Sequence, residues 1–175
     1  HVKNAHLGEN SNIGHFNVIR HLHLLELNES ASIGNRNYIT AAPFGSDKRF
    51  CETEGRNPGL IIGKHASITG RHFFDCNDLV SIGDFSVIAG RESCFYTHGI
   101  DISSNRQSLA KIAIGKYCMT GARCMVVKGA SLPDYSVLSA QSVLHKNMDE
   151  PYGLYSGNPA KLVKLLDADA AYFQR

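Results

Sequence analysis

Aliphatic residues return every six positions along most of this chain. The series runs Leu7, Ile13, Ile19; Leu27, Ile33, Ile39; Ile62, Ile68, Phe74; Ile82, Ile88, Cys94; then Ile114, Thr120, Val126, Leu132, Leu138, Leu144. The residue after the aliphatic is often glycine, as at Gly8, Gly14, Gly34, Gly63, Gly83, Gly115 and Gly121. A small residue, such as Ala66, Ser86, Ser136 or Ser142, lies two positions before the next aliphatic. A period of six is a multiple of two but not of 3.6, so the pattern suits short strands and not an amphipathic helix. One inward residue per strand and a glycine-containing corner predict three strands per turn. Successive turns stack and bury the aliphatic columns, as in a parallel β-helix. A β-sandwich also has short strands, but it does not hold a six-residue register over so many units.

The register slips between Ile19 and Leu27 and between Val80 and Ile82, which small bulges at corners accommodate. Two longer interruptions, Pro43–Gly59 and Thr97–Lys111, are rich in polar residues and are expected to be loops thrown out from corners. The expected β-helix domain spans 1–147, with these loops at about 43–59 and 97–111. Residues 148–175 form a turn and helix segment of the same domain. In that tail Leu162, Val163, Leu165, Leu166, Ala170 and Phe173 have helical spacing, so a short C-terminal α-helix over Ala160–Gln174 is expected to cover the open end of the stack.

Composition narrows the class without changing this picture. At 175 residues, 43% hydrophobic and 19% charged, the chain suits one ordinary globular domain. A formal charge of +2 argues against nucleic acid or a membrane surface as a global partner, so an anionic ligand must meet a local cluster. Five cysteines with no C-x-x-C pair point to a reducing, cytoplasmic setting and not a disulfide framework. No apolar run is long enough to predict stable membrane insertion, and no signal peptide is visible, although the chain opens on His1 rather than Met.

Four pieces carry a family resemblance: "VSIGDFSVIAGRESCFYTHGID", the interruption after it, "IAIGKYCMTGARCMVVKGASLPDYSVLSAQSVLHK", and "YGLYSGNPAKLVK". With their order of IGD, TH, IGK, Ser-Ala and GNPAK, they resemble the hexapeptide-repeat acyltransferases over Leu60–Lys164, most closely the sugar and polysaccharide O-acetyltransferases. The resemblance implies a left-handed parallel β-helix, a homotrimer, and transfer of acetyl from acetyl-CoA to a sugar or glycan precursor. It implies acetyl-CoA in the groove between neighbouring subunits and a general-base histidine where the loop begins, which is His98. A sugar hydroxyl is a poor nucleophile, and a neutral imidazole can take its proton and pass it to the leaving thiolate. By the same resemblance Gly121, Ala122, Ser139 and Ala140 contact CoA, and Lys146 and Lys161 meet its phosphates. Asp75, Asn77 and Asp78 are candidates for acceptor contacts, for orienting His98, or simply for polar corners. Met119 stands where such relatives often carry Trp, and Thr69 and Cys76 where they place Asn or Asp, which concerns the acceptor more than the transfer.

Three other functions share this pattern of residues in part. Carbonic anhydrases of the same fold bind zinc through three convergent histidines, but His98 has no histidine partner between Gly99 and Lys111, so no metal is expected. His21 and His23 are expected to face solvent. A non-catalytic scaffold has no use for His98, the small groove residues and Lys161 together. Antibiotic or amino-sugar acceptors, and hence N-acetylation, share the same frame. Cys118 and Cys124 lie one repeat apart and Cys94 in an inward column, all three suited to packing. Direct transfer without an acyl-enzyme is therefore expected.

Overall fold

The computed structural model describes residues 1–43 and 56–175. Most of the Pro43–Gly59 interruption, with Cys51, lies outside the described residues. Three parallel sheets form the faces of a left-handed prism. The first face stacks Val2–Leu7, Leu22–Leu27, Gly59–Ile62, Leu79–Ile82, Ile112–Ile114 and Ser131–Leu132. The second stacks Asn12–Ile13, Ser32–Ile33, Ser67–Ile68, Val87–Ile88, Met119–Thr120, Val137–Leu138 and Gly153–Gly157. The third stacks Val18–Arg20, Tyr38–Thr40, Phe73–Asp75, Cys94–Tyr96, Met125–Val127 and Val143–Leu144. Each inward column is solvent-free from Leu27 onward, as at Ile62, Ile82, Ile114 and Leu132. Leu7 and Ile13, on the first coil described, are exposed.

Two expectations need correction. Phe95, not Cys94, fills the inward column: Phe95 is fully buried and stacks on Phe74 at 4.4 Å between ring centroids, while Cys94 is only half-buried. An extra residue in the corner before it, where Gly90 adopts φ +70°, moves the alternation along by one. The tail is not an α-helix. Ala160–Leu165 is a strand antiparallel to Gly153–Gly157, followed by a 3-10 turn at Ala171–Gln174. The last coil presents unpaired N–H and C=O groups on its edge, and pairing with them outweighs helical spacing. The tail covers the end of the stack only on the second face, by this strand pairing. Phe173 packs edge-on against Tyr135 and Tyr152 at one corner.

That first corner shows how the coil tolerates strain. His65, Phe85, Tyr117, Tyr135 and Tyr152 all have positive φ, between 54° and 59°, a region costly for residues with a Cβ. Their rings stack in a continuous ladder with centroid spacings of 4.9, 4.7, 5.2 and 4.8 Å. Each such pair contributes about 0.5–1.5 kcal/mol, which offsets part of the backbone cost of about 1–3 kcal/mol per residue.

Inside the second corner, side-chain acceptors take up the backbone N–H of the next coil. Asn17 accepts from Asn37 N at 2.8 Å, Asn37 from His72 N at 2.9 Å, and His72 Nδ1 from Ser93 N at 3.2 Å. His72 is buried, and burial pushes its pKa down to about 4. Between about pH 6.5 and 4 the unfolded chain therefore binds a proton that the folded chain refuses, so stability falls as pH falls across that window. The penalty at pH 4 amounts to about 2–3 kcal/mol. His72→Asn installs the residue already used one coil earlier. Urea unfolding at pH 7 and pH 4.5 should show a smaller acid loss in the variant than in the parent.

Candidate active site

The interruption after Tyr96 is an ordered hairpin and not an irregular loop. His98–Asp101 pairs antiparallel with Arg106–Leu109, and Asp101 Oδ1 accepts the Ser103 N–H at 2.8 Å to turn the chain. The hairpin leaves the prism at the corner joining the third face to the first, and His98 is its first residue.

Beneath it, the end of the third face supplies a buried carboxylate. His98 Nδ1 is bonded to Asp75 Oδ2, with the Asp75 side chain 6% exposed and that of His98 35%. Thr97, fully buried, donates to the Asp75 carbonyl at 2.8 Å and accepts the Asp78 N–H at 2.9 Å. The Asn77 side-chain amide donates to Asp75 Oδ1, its nitrogen lies 3.4 Å from His98 Nδ1, and its oxygen accepts the Ala42 N–H at 2.8 Å. Arg56 reaches the Asn77 carbonyl at 3.1 Å and the Asn77 amide oxygen at 3.1 Å. Asp75 therefore holds a fixed position and presents one oxygen to the imidazole.

The electrostatics follow. The hydrogen bond His98 donates to Asp75 raises the His98 pKa above its ordinary 6.5, against desolvation and the Lys128 charge, which lower it. A carboxylate on Nδ1 keeps the proton there and makes Nε2 the basic nitrogen. Lys128 bonds the Ser108 hydroxyl and lies under the hairpin at Gly99, where a Cβ would sit 3.3 Å from Lys128 Cε.

Of the predicted acceptor residues, Asp75 touches His98 and Asn77 touches both of them. Asp78 caps its own strand, its carboxylate accepting the Leu79 N–H at 2.8 Å. Thr97, Lys128 and Arg56 were not foreseen. Thr97 and Arg56 lie within the two interruptions, whereas Lys128 has no signal in the sequence.

The predicted donor residues lie elsewhere. Gly121, Ala122, Ser139 and Ala140 occupy the corner between the second and third faces. Gly121 is small because the next coil demands it: a Cβ there would lie 2.5 Å from Ala140 N. Ala122 and Ala140, with Gly90, Arg91, Glu92, Arg123 and Gln141, line a shallow groove along that corner. Lys146 and Lys161 do come together, in one hollow with Met148 and Tyr155 at the C-terminal end. Within one chain, His98 and this groove stand at different corners of the prism.

Cysteine chemistry has little support. Cys118 and Cys124 are buried, their thiols pushed up by desolvation, to about 12 for Cys118. Among the described residues no three His, Cys, Asp or Glu side chains come together as metal ligands.

No protein-family model matches the chain, and no curated protein matches it. Solved structures do. A hexapeptide-repeat-containing acetyltransferase from Vibrio cholerae O1 biovar eltor, complexed with acetyl coenzyme A, is 20% identical with a TM-score of 0.62, over 93% of this chain and 71% of that one. The chain has the fold of that acetyltransferase. A maltose O-acetyltransferase from Clostridium difficile 630 is 19% identical with a TM-score of 0.60, over 93% and 70%. AntD, an N-acyltransferase from Bacillus cereus in complex with dTDP and 3-hydroxybutyryl-CoA, is 15% identical with a TM-score of 0.71, over 96% and 86%. On this acyltransferase fold, the Asp75–His98 pair at one corner and the small-residue groove at another are the features available for chemistry.

Proposed function

We propose that the chain is an acyltransferase that moves acetyl from acetyl-CoA to a hydroxyl of a sugar or glycan precursor, in the cytoplasm, with His98 as general base. The observation that carries the reading is the buried Asp75 carboxylate on His98 Nδ1, at the mouth of a hairpin on an acyltransferase fold. Nε2 takes the acceptor's hydroxyl proton as its oxygen attacks the thioester carbonyl. Collapse of the tetrahedral adduct breaks the carbon–sulfur bond, and the departing thiolate receives the proton back from the imidazolium. No covalent acyl-enzyme is required.

His98 and the groove at Ala122 and Ala140 stand at different corners, so a site using both needs two copies. A homotrimer with the donor between neighbours meets that requirement, with Lys146 and Lys161 placed for the CoA phosphates and Gly121 and Ser139 lining the pantetheine path. Asp75 and Asn77 orient the base, and Asp78 supports the strand that carries them. Among the described residues no helix is long and apolar enough to cross a membrane.

The test is a screen of neutral sugars, nucleotide sugars and acidic oligosaccharides with acetyl-CoA, following free thiol and product mass. Acetylated sugar with stoichiometric thiol is expected. Thiol release without acetylated product, or none with any acceptor, overturns the reading. The likeness to AntD brings amino-sugar nucleotides into the same screen, where transfer to nitrogen alone would replace the O-acetyl assignment.

A further inference from the structure

The corner groove does not stop at Gly90. It continues toward the N-terminus over three coils, floored by Gly34 and Gly70 and walled by His15, Arg36, Arg71 and Arg91. None of the described residues lining this stretch is acidic. The corner holds four arginines, Arg36, Arg71, Arg91 and Arg123, against the single carboxylate of Glu92, whereas the whole chain has a formal charge of only +2. Its positive charge is concentrated here.

The backbone explains the stacking. Arg36 N bonds the His15 carbonyl at 2.9 Å, Arg71 N that of Asn35 at 3.0 Å, Glu92 N that of Arg71 at 3.0 Å, and Arg123 N that of Arg91 at 2.8 Å. These are successive rungs of one column, spaced by the strand separation of about 4.8 Å. The extra residue of the fourth coil brings Glu92 into line and sets Arg91 beside it. Glu92 binds Arg123 at 2.8 Å. Among the described residues Arg36, Arg71 and Arg91 form no salt bridge, and Arg36 instead lies over the Phe16 ring at 5.8 Å. Glu92 acts on Arg71 and Arg91 as well as on Arg123, but one carboxylate cannot balance them all, and the like charges of Arg36 and Arg71 on adjacent rungs repel, which suits an anionic occupant. Arginine is also the side chain whose planar fork matches carboxylate and phosphate. A ring-faced, glycine-floored groove spanning several rungs fits an extended chain better than a single ion.

We propose that this N-terminal stretch of the corner groove binds an acidic glycan, a saccharide chain with carboxylates or phosphates at intervals, as the acceptor. The proposal rests on the acetyl-transfer reading and names its substrate class. The donor lies on the later rungs at Ala122 and Ala140, and the acceptor runs along the earlier ones.

Binding to the full chain by isothermal titration tests it, with oligogalacturonate as the carboxylated probe and a neutral maltooligosaccharide, single-stranded DNA and CoA beside it. Arg36→Asn with Arg71→Asn is the main variant, because asparagine tolerates the left-handed φ of 61° and 60° at these positions. Arg91→Gln, one rung away, is a milder second variant should the first unfold. Lys64→Asn with Lys116→Asn removes the same charge at the first corner. The expected result is oligogalacturonate binding that weakens with salt, falls at least tenfold in the double arginine variant with CoA affinity constant, falls about threefold in Arg91→Gln, and is unchanged in the lysine variant. Equal binding of the neutral probe, equal loss in the lysine variant, tighter binding of DNA, or loss of CoA instead of glycan overturns it. Acetyl transfer confined to neutral sugars sinks the groove alone. Absence of any transfer with binding intact sinks the catalytic reading alone.

Discussion

His98→Ala is expected to lower kcat for acetyl transfer at least about 10²-fold, while the affinity for CoA stays within about twofold. General-base removal typically costs 10²–10⁴, and the remainder of the rate enhancement comes from holding donor and acceptor together, which the substitution leaves alone. In the proposed site the two effects separate because His98 comes from one copy and Ala122 and Ala140 from its neighbour. The alanine variant keeps its fold, since His98 is already partly exposed and the column beneath it is closed by Phe95. Initial rates against acceptor concentration, with CoA titrated separately, read the split. Normal turnover in the variant removes His98 from the mechanism. A parallel loss of CoA binding would show that His98 holds the donor and does not act as a base.

The six-residue columns were legible because burial in a stacked coil acts on every unit alike. One wrong aliphatic cannot disguise a period that Ile62, Ile82, Ile114 and Leu132 all keep. Cys94 was misassigned because a single inserted corner residue inverts inward and outward, and both Cys94 and Phe95 are apolar enough for either side. The tail was misread because Leu162, Val163 and Leu165 suit one face of a helix as well as a strand. Their true state was decided by the free edge of Gly153–Gly157, a partner no local window contains. His98 could be singled out from its place where the rhythm breaks. Asp75 could only be shortlisted, because its pairing depends on a stacking of coils that brings residues 23 apart together. The arginine column was invisible for the same reason: Arg36 and Arg71 are far apart in sequence, and Arg91 comes beside them only through the extra residue of its coil.

Asp75→Asn should lower kcat by about 10²–10³-fold and shift the acidic limb of the pH–rate profile toward lower pH. The sign follows from the geometry. Asp75 raises the His98 pKa above 6.5, so in the proposed mechanism the parent protein loses its base as pH falls through that raised value. Without the carboxylate, desolvation and Lys128 remain, and both lower the pKa. The neutral imidazole then persists to lower pH, and the limb moves with it. The plateau nevertheless falls, because a less basic nitrogen takes a proton less readily and an amide can no longer fix the tautomer or steady the imidazolium formed as the acceptor loses its proton. A merely structural Asp75 would cost stability or expression and leave the limb where it was. An unchanged limb, with rate restored by raising enzyme concentration in proportion to the folded fraction, would therefore reduce Asp75 to a packing residue. A displaced limb with a depressed plateau would identify it as the residue that positions and charges the base.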